Sequence, residues 1–140
     1  MAIYLSSINH FTKIYSLRES LSIFYEVFHS LYCVASGDIN VHDHLATMEG
    51  ELSLIFRHGN LHIDDEVHIR ASGGDLIVRS EDGLIAAQLP FRLETTENLQ
   101  IDRRVQIRRT DGSHGRASIV ARKALNITNV VELHNLSKGN

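Results

Sequence analysis

The sequence predicts an α+β fold in which N-terminal helices pack on a strongly curved antiparallel (mixed) β-sheet. Two observations support this class. Apolar residues recur at helical spacing in the first third of the chain, and from Glu51 onward they alternate with polar residues, as in half-buried strands. The 140 residues, of which 43% are hydrophobic, fit one domain with helices over 10–50, sheet over 51–134 and a short tail over 135–140.

The first predicted helix begins at a capping-box pattern, Ser16-Leu17-Arg18-Glu19, and ends at Ser36-Gly37. Its apolar positions recur every three or four residues and would share one face: Leu17, Leu21, Phe24, Phe28, Leu31 and Ala35. A second, shorter helix is predicted between Asp38 or Asn40 and Gly50, because Asp and Asn are good N-caps.

Strands with Gly-containing turns between them are predicted for the rest of the chain. They cover 51–57, 61–63, 67–70, 76–80, 84–93, 101–109, 116–124 and 127–133. The strands on either side of Asp111–Gly115 are predicted to form a β-hairpin with a basic outer face. Two segments, GNLHIDD and GGDLIVRSEDG, hint at a solenoid repeat, but two weak copies are fewer than the roughly three that such folds need.

Composition excludes several classes of protein. The net charge of −3, and the lack of aromatic residues after Phe91, argue against a nucleic-acid binder. Cys33 is the single cysteine, so no internal disulfide can form, which fits a reducing compartment. The N-terminus lacks a signal-peptide pattern, and no apolar stretch approaches the roughly 18 residues of a membrane span. We therefore expect a cytoplasmic protein with neither nucleic-acid nor membrane partners.

Two segments resemble known families. The segment from Phe24 to Phe56 resembles the opening of the nuclear-transport-factor-2-like fold, which SnoaL-type cyclases and ketosteroid isomerases share, and Gly37-Asp38 and Glu51 keep its spacing. The C-terminal third resembles the small β subunits of aromatic-ring-hydroxylating dioxygenases. It carries that family's motifs in order: Arg103-Arg104, Ile107-Arg108-Arg109, Asp111-Gly112, Ala121-Arg122-Lys123 and Asn135-Leu136-Ser137.

The resemblance implies a cone-shaped fold and a non-catalytic assembly subunit of an oxygenase of aromatic hydrocarbon catabolism. The Rieske cluster and the iron would then lie on a large partner subunit, and this chain would hold no cofactor. It would form a homo-oligomer, a trimer or a dimer. One alternative is a stand-alone cyclase, isomerase or dehydratase of the same fold that acts on a small apolar substrate. A further alternative is a small-ligand-binding or interaction module without chemistry.

Candidate functional residues fall into two groups, and no catalytic residue can be assigned. The first group would line a pocket and comprises Tyr25, Tyr32, Phe56, His58 and Arg103. The second is a basic stripe predicted to meet an acidic partner: Arg104, Arg108, Arg109, Arg116, Arg122 and Lys123. No metal site is predicted, because His42 and His44 are two residues apart and would not share the face of a helix.

Overall fold

The computed structural model describes residues 3–5, 13–17, 19–109, 116–128 and 131–134, which form β-strands and no helix. The strands, in chain order, are β1 Ile3–Leu5, β2 Lys13–Leu17, β3 Leu21–Ile23, β4 Glu26–Phe28, β5 Leu31–Ala35, β6 Ile39–Val41, β7 Leu45–Thr47, β8 Leu52–Phe56, β9 Leu61–Ile63, β10 Val67–Ala71, β11 Leu76–Ser80, β12 Ile85–Leu89, β13 Phe91–Thr95, β14 Leu99–Asp102, β15 Val105–Arg109, β16 Ala117–Ala121, β17 Leu125–Ile127 and β18 Val131–His134.

These strands assemble into three sheets, and all the pairings among them are parallel. Sheet A contains β1, β3, β6, β9, β12, β15 and β18, sheet B contains β2, β5, β8, β11, β14 and β17, and sheet C contains β4, β7, β10, β13 and β16. From β3 onward the chain visits sheets A, C and B in turn. Each circuit adds one rung beside the previous one, and the fold is therefore a β-solenoid.

The rungs differ in length. In sheet A, Leu21 pairs with Ile39 and Leu61 pairs with Ile85, so the second of these circuits is the longer one. The circuit that joins Val105 to its partner Val131 is longer still. Between the first two of these circuits, the difference lies mainly where the chain turns from one sheet to the next, and partly in sheet C, where β10 is longer than β4.

The core is built of columns of apolar side chains, because alternate residues of a strand point inward and the same position recurs from rung to rung. In sheet B one such column consists of leucines alone: Leu31, Leu52, Leu76, Leu99 and Leu125. The first four are almost completely buried. Sheets A and C contribute similar columns, so the interior is a continuous apolar core that runs along the solenoid axis.

Glycines occupy the tightest corners. A Cβ atom on Gly83 would lie against the carbonyl oxygen of Gly59 in the preceding rung, and one on Gly74 would lie against the backbone of Gly50. Gly73 has a φ of 75°, a conformation that residues with a Cβ rarely adopt. The absence of a Cβ therefore allows the backbones of successive corners to stack.

The prediction of helices between residues 10 and 50 is wrong, since the described residues of this range form strands β2 to β7. The same apolar residues also fit a period of two. Leu31, Cys33 and Ala35 point inward from β5, while Tyr32 and Val34 between them face outward. The sequence could distinguish a helix from short strands only if one side of the predicted helix were polar over its whole length. In addition, the bends between these short strands interrupt the alternation of apolar and polar residues.

The antiparallel arrangement and the β-hairpin are also wrong. The strands predicted to form the hairpin, β15 and β16, lie in sheets A and C and do not pair with each other. The predicted turn at Asp111–Gly115 lies outside the described residues, as does the tail over 135–140. An all-strand solenoid of parallel sheets overturns the resemblance to the nuclear-transport-factor-2-like fold and, with it, to dioxygenase β subunits.

Candidate functional site

The five residues predicted to line a pocket do not come together. Phe56 is buried in the core, Tyr25 is exposed between β3 and β4, and Tyr32 lies on the outer face of sheet B. His58 and Arg103 share the corner where sheet B leads to sheet A. They are two rungs apart, however, and therefore form no common cavity.

Local contacts explain the positions of these two corner residues. The His58 imidazole lies 3.3 Å from the Asp82 carboxylate in the next rung. Arg103 donates a hydrogen bond from Nε to the backbone carbonyl of Ser80 at 2.7 Å, which ties one rung to the next. Arg103 thus makes a structural contact with the backbone of the preceding rung instead of lining the pocket predicted for it.

The basic residues predicted as an interface lie around one end of the solenoid. Arg104 precedes β15, Arg108 and Arg109 belong to it, Arg116 precedes β16, and Arg122 and Lys123 follow it. They therefore surround the rung formed by β15, β16 and β17, hereafter the last rung, instead of forming a stripe on two paired strands. Lys123 also pairs with Glu97 at 2.7 Å, and the side chain of Arg109 lies outside the described part of the chain.

Histidine–carboxylate pairs connect successive rungs on the surface. His42 Nδ1 lies 2.8 Å from Asp64 Oδ2, and His62 Nε2 lies 3.4 Å from Asp38 Oδ2. All four of these side chains are partly exposed to solvent. Within the part of the chain that the structure describes, no group of three His, Cys, Asp or Glu residues is placed to hold a metal ion.

The densest charge cluster lies on the outer face of sheet C, around Glu94. Its carboxylate contacts Arg92 Nε at 2.6 Å, Arg70 Nε at 3.4 Å and His68 Nε2 at 3.4 Å. The register explains the cluster, because Arg70 pairs directly with Glu94 while His68 pairs with Arg92. Burial raises the pKa of Glu94, but Arg92, Arg70 and His68 outweigh it and lower the pKa overall. Glu94 is therefore a carboxylate at neutral pH.

The protonation of His68 follows from the same contacts. Burial lowers the pKa of His68 below 6.5, and the charge of Arg92 acts in the same direction, while Glu94 opposes both. His44 is also close, with its Nδ1 accepting a hydrogen bond from the His68 backbone N–H at 3.0 Å. His68 is accordingly neutral at pH 7.

A groove of about 510 Å³ lies beside this cluster, across β10, β13 and β16. This feature is called the sheet C groove below. It is lined by Glu66, His68, Pro90, Arg92, Arg116 and Ser118, and the buried residues Val67 and Phe91 lie beneath them. The groove is shallow and largely open to solvent, unlike the enclosed clefts that bury most of a small ligand.

Sequence reasoning identified one residue of this groove, Arg116, and assigned it to an interface. The predicted site residues do not include His68, Arg92 or Glu94, because only a parallel register places residues of successive circuits side by side. The available signal was the similarity of VHIRA at residues 67–71 to FRLET at 91–95, in which the first and third residues are apolar and the second and fourth are polar.

The cysteine has no role in this surface. Cys33 is completely buried in β5. Burial, with a smaller effect of the nearby carboxylate of Glu26, raises the pKa of the Cys33 thiol to about 12. The thiol is therefore protonated and unreactive in the folded chain.

Comparison with protein-family models, with curated proteins and with solved structures finds no match to this chain. None of the described segments forms a helix with the length and apolarity that crossing a membrane would require.

Proposed function

We propose that this chain is a non-catalytic assembly module whose solenoids associate head to tail. The observation that carries this proposal is that the edge strands at the two ends of the described solenoid belong to the same three sheets, and an uneven division of charge along the chain supports it. Residues 1–66 contain nine Asp or Glu and three Lys or Arg, whereas residues 103–140 contain eight Lys or Arg and two Asp or Glu. The acidic excess lies in residues 38–66, which contain seven Asp or Glu and one Arg, because residues 1–28 hold two acidic and two basic residues.

The core supports the proposal at the last rung. Leu125 continues the inward leucine column of sheet B, yet 50% of its surface is exposed, compared with 1% for Leu99 in the preceding rung. Ile119 and Ile127 are likewise only partly buried. Each of β16, β17 and β18 pairs with a single strand within the described residues. Strand edges and apolar side chains are therefore available together at the basic end.

The occupant that fits this end is the N-terminal end of a second copy. Its edge strands β1, β2 and β4 also have one partner each among the described residues, and they belong to the same three sheets. A parallel ladder could continue from one copy into the next, because the edge strands at both ends belong to the same three sheets. Such contact joins two different surfaces, so that it can repeat as an open series.

The proposal replaces the oxygenase partner with another copy of the chain. The expectation of a partner carrying a Rieske cluster depended on a fold that the parallel sheets exclude, and the isomerase alternative depended on the same cone-shaped fold. The prediction of a homo-oligomer is kept, but the proposed oligomer is an open series instead of a closed trimer or dimer.

Sedimentation velocity over a range of protein concentrations at low and high salt tests the proposal. We expect species larger than dimers to form at about 50 mM salt and to diminish at about 500 mM, because salt screens charge attraction. Leu125→Asp should weaken association by about 100-fold or more, since it places an unpaired carboxylate in the contact. The matched control is Val120→Asp, which adds the same charge to the outer face of the same rung.

Three results would contradict the proposal: a monomer at every concentration and salt level, a closed dimer that grows no further, or equal association of the Leu125→Asp variant and its parent. Circular dichroism of each variant establishes that the solenoid is folded. The salt response of the parent chain provides a test that needs no substitution.

A further inference from the structure

The guanidinium groups of the sheet C groove have more hydrogen-bond donors than the neighbouring carboxylates can accept. Each arginine carries five N–H donors, and a carboxylate offers about four acceptor positions. Arg70 and Arg92 both contact Glu94 through Nε, and this one carboxylate is also shared with His68. Donors on Arg70 and Arg92 therefore remain for a further acceptor.

Arg116 adds a positive charge that has no ion-pair partner among the described residues. It is exposed and stands at the start of β16, where its backbone carbonyl accepts a hydrogen bond from Phe91 N–H at 3.2 Å. This contact holds Arg116 next to Pro90 and one strand away from Arg92. Both guanidinium groups thus border the same groove.

The charges in and around the groove sum to a positive value. Arg70, Arg92 and Arg116 are cationic, Glu66 and Glu94 are anionic, and His68 is neutral at pH 7. Pro90 adds an apolar side chain to the same surface, beside Arg116 on the neighbouring strand. A small ligand with an anionic group and an apolar or hydroxylated remainder matches this combination of positive charge and apolar surface.

We propose that the sheet C groove binds a small organic oxyanion, a carboxylate or a phosphate, between Arg92 and Arg116. The oxyanion accepts hydrogen bonds from both guanidinium groups, whose planar arrangement of N–H donors suits a carboxylate as well as a phosphate. The body of the ligand lies on Pro90, and Ser118 provides a hydroxyl on the opposite wall. Glu94 holds Arg92 in place and competes with the ligand for the same donors.

Nuclear magnetic resonance titrations of the full chain with inorganic phosphate and, separately, with acetate test this site. Ionic strength is held constant with chloride, and the protein is kept dilute. We expect saturable shifts of the backbone amides of Arg92, Arg116 and Ser118, with dissociation constants on the order of 1 mM for such minimal probes. The stronger of the two probes identifies the phosphate or the carboxylate as the group recognised.

Three variants with different expected outcomes sharpen the test. Arg116→Gln should weaken binding by about tenfold or more, because a charge-assisted hydrogen bond is lost. Glu94→Gln should tighten it, because a competing acceptor charge is removed. The control is Arg122→Gln, which removes the same charge from an exposed turn outside the groove and should leave affinity unchanged.

Thermal unfolding of each variant separates loss of binding from loss of structure. The proposal is overturned if neither probe gives saturable shifts in the groove, if Glu94→Gln weakens binding in a folded protein, or if Arg122→Gln weakens it as much as Arg116→Gln does. Head-to-tail association is measured separately, and either proposal can fail without the other.

Discussion

At the scale of single residues, the glycine at position 83 is a strong constraint on the backbone. An added Cβ would meet the Gly59 carbonyl oxygen and lie 2.9 Å from Cε2 of the Phe56 ring. We expect Gly83→Ala to lower the free energy of unfolding by about 1–3 kcal/mol, because neighbouring rungs must move apart. Urea denaturation measures the difference.

Gly37→Ala provides the matched control for this prediction. There the closest atom to a new Cβ is Ser20 Oγ at 2.9 Å, which would have to shift and loosen the hydrogen bond that it accepts from Asp38 N–H, while the nearest backbone atoms lie 3.4 Å away. We expect a cost below about 1 kcal/mol, since only this side chain has to move. Equal urea midpoints for Gly83→Ala and the parent would show that the corners are not stacked as described.

At the scale of elements, strands β10 and β13 make stability depend on pH through His68. The side chains that face His68 are His44, Arg92 and Glu94. Because the pKa of His68 is lower in the folded than in the unfolded chain, the unfolded chain binds the proton more tightly. The free energy of unfolding should therefore fall as the pH decreases from about 7 through the ordinary value of 6.5.

Chemical denaturation of the parent and of His68→Gln between about pH 7 and pH 5 measures this dependence. The variant should have the shallower slope, and identical slopes would contradict the assignment. Below the ordinary Glu94 pKa of 4.5, both proteins should lose further stability, because the lowered pKa of Glu94 stabilises the fold only while that group is ionised.

Several strands after Glu51 could be located from sequence, but the predicted strands at 84–93 and 101–109 each combine residues of two strands from different sheets, and no pairing partner could be predicted. The predicted strands at 61–63 and 76–80 match β9 and β11, and the Gly-containing turns at Gly59 and Gly83 lie between strands as expected. A period of two is the same in a hairpin and in a solenoid rung. Only the recurrence of similar strands one circuit later distinguishes them, and circuits of unequal length obscure that recurrence.

At the scale of the whole molecule, the cost of a core substitution should depend on its rung. Leu76 and Leu125 occupy the same inward column, but Leu76 is fully buried and Leu125 is half-exposed. We expect Leu76→Ala to cost about 2–5 kcal/mol, and Leu125→Ala considerably less in dilute monomer. Denaturant titration of both variants provides the comparison. Equal costs for the two substitutions would mean that Leu125 is buried as deeply as Leu76, so that the last rung is covered.

Residues that are distant in sequence meet on sheet C because each circuit of the chain returns to the same sheet. No local pattern in the sequence encodes this path of the chain. The basic residues from Arg104 to Lys123 were recognisable as a charged group from composition alone. Their arrangement around one rung depends on β15, β16 and β17 lying in three different sheets. Local periodicity could predict charge and burial at a position, whereas the neighbour across a ladder required the fold.

The unequal circuits have a consequence for engineering the molecule. Strands that face the core span three to five residues, although the circuit from Leu61 to Ile85 is longer than the one from Leu21 to Ile39. Most of the extra amino acids of the longer circuit therefore lie where the chain bends, outside the leucine column. A foreign peptide grafted into such a bend would be displayed at the periphery without enlarging the interior. This architecture is therefore suited to carrying epitopes or affinity tags at chosen positions along the solenoid axis.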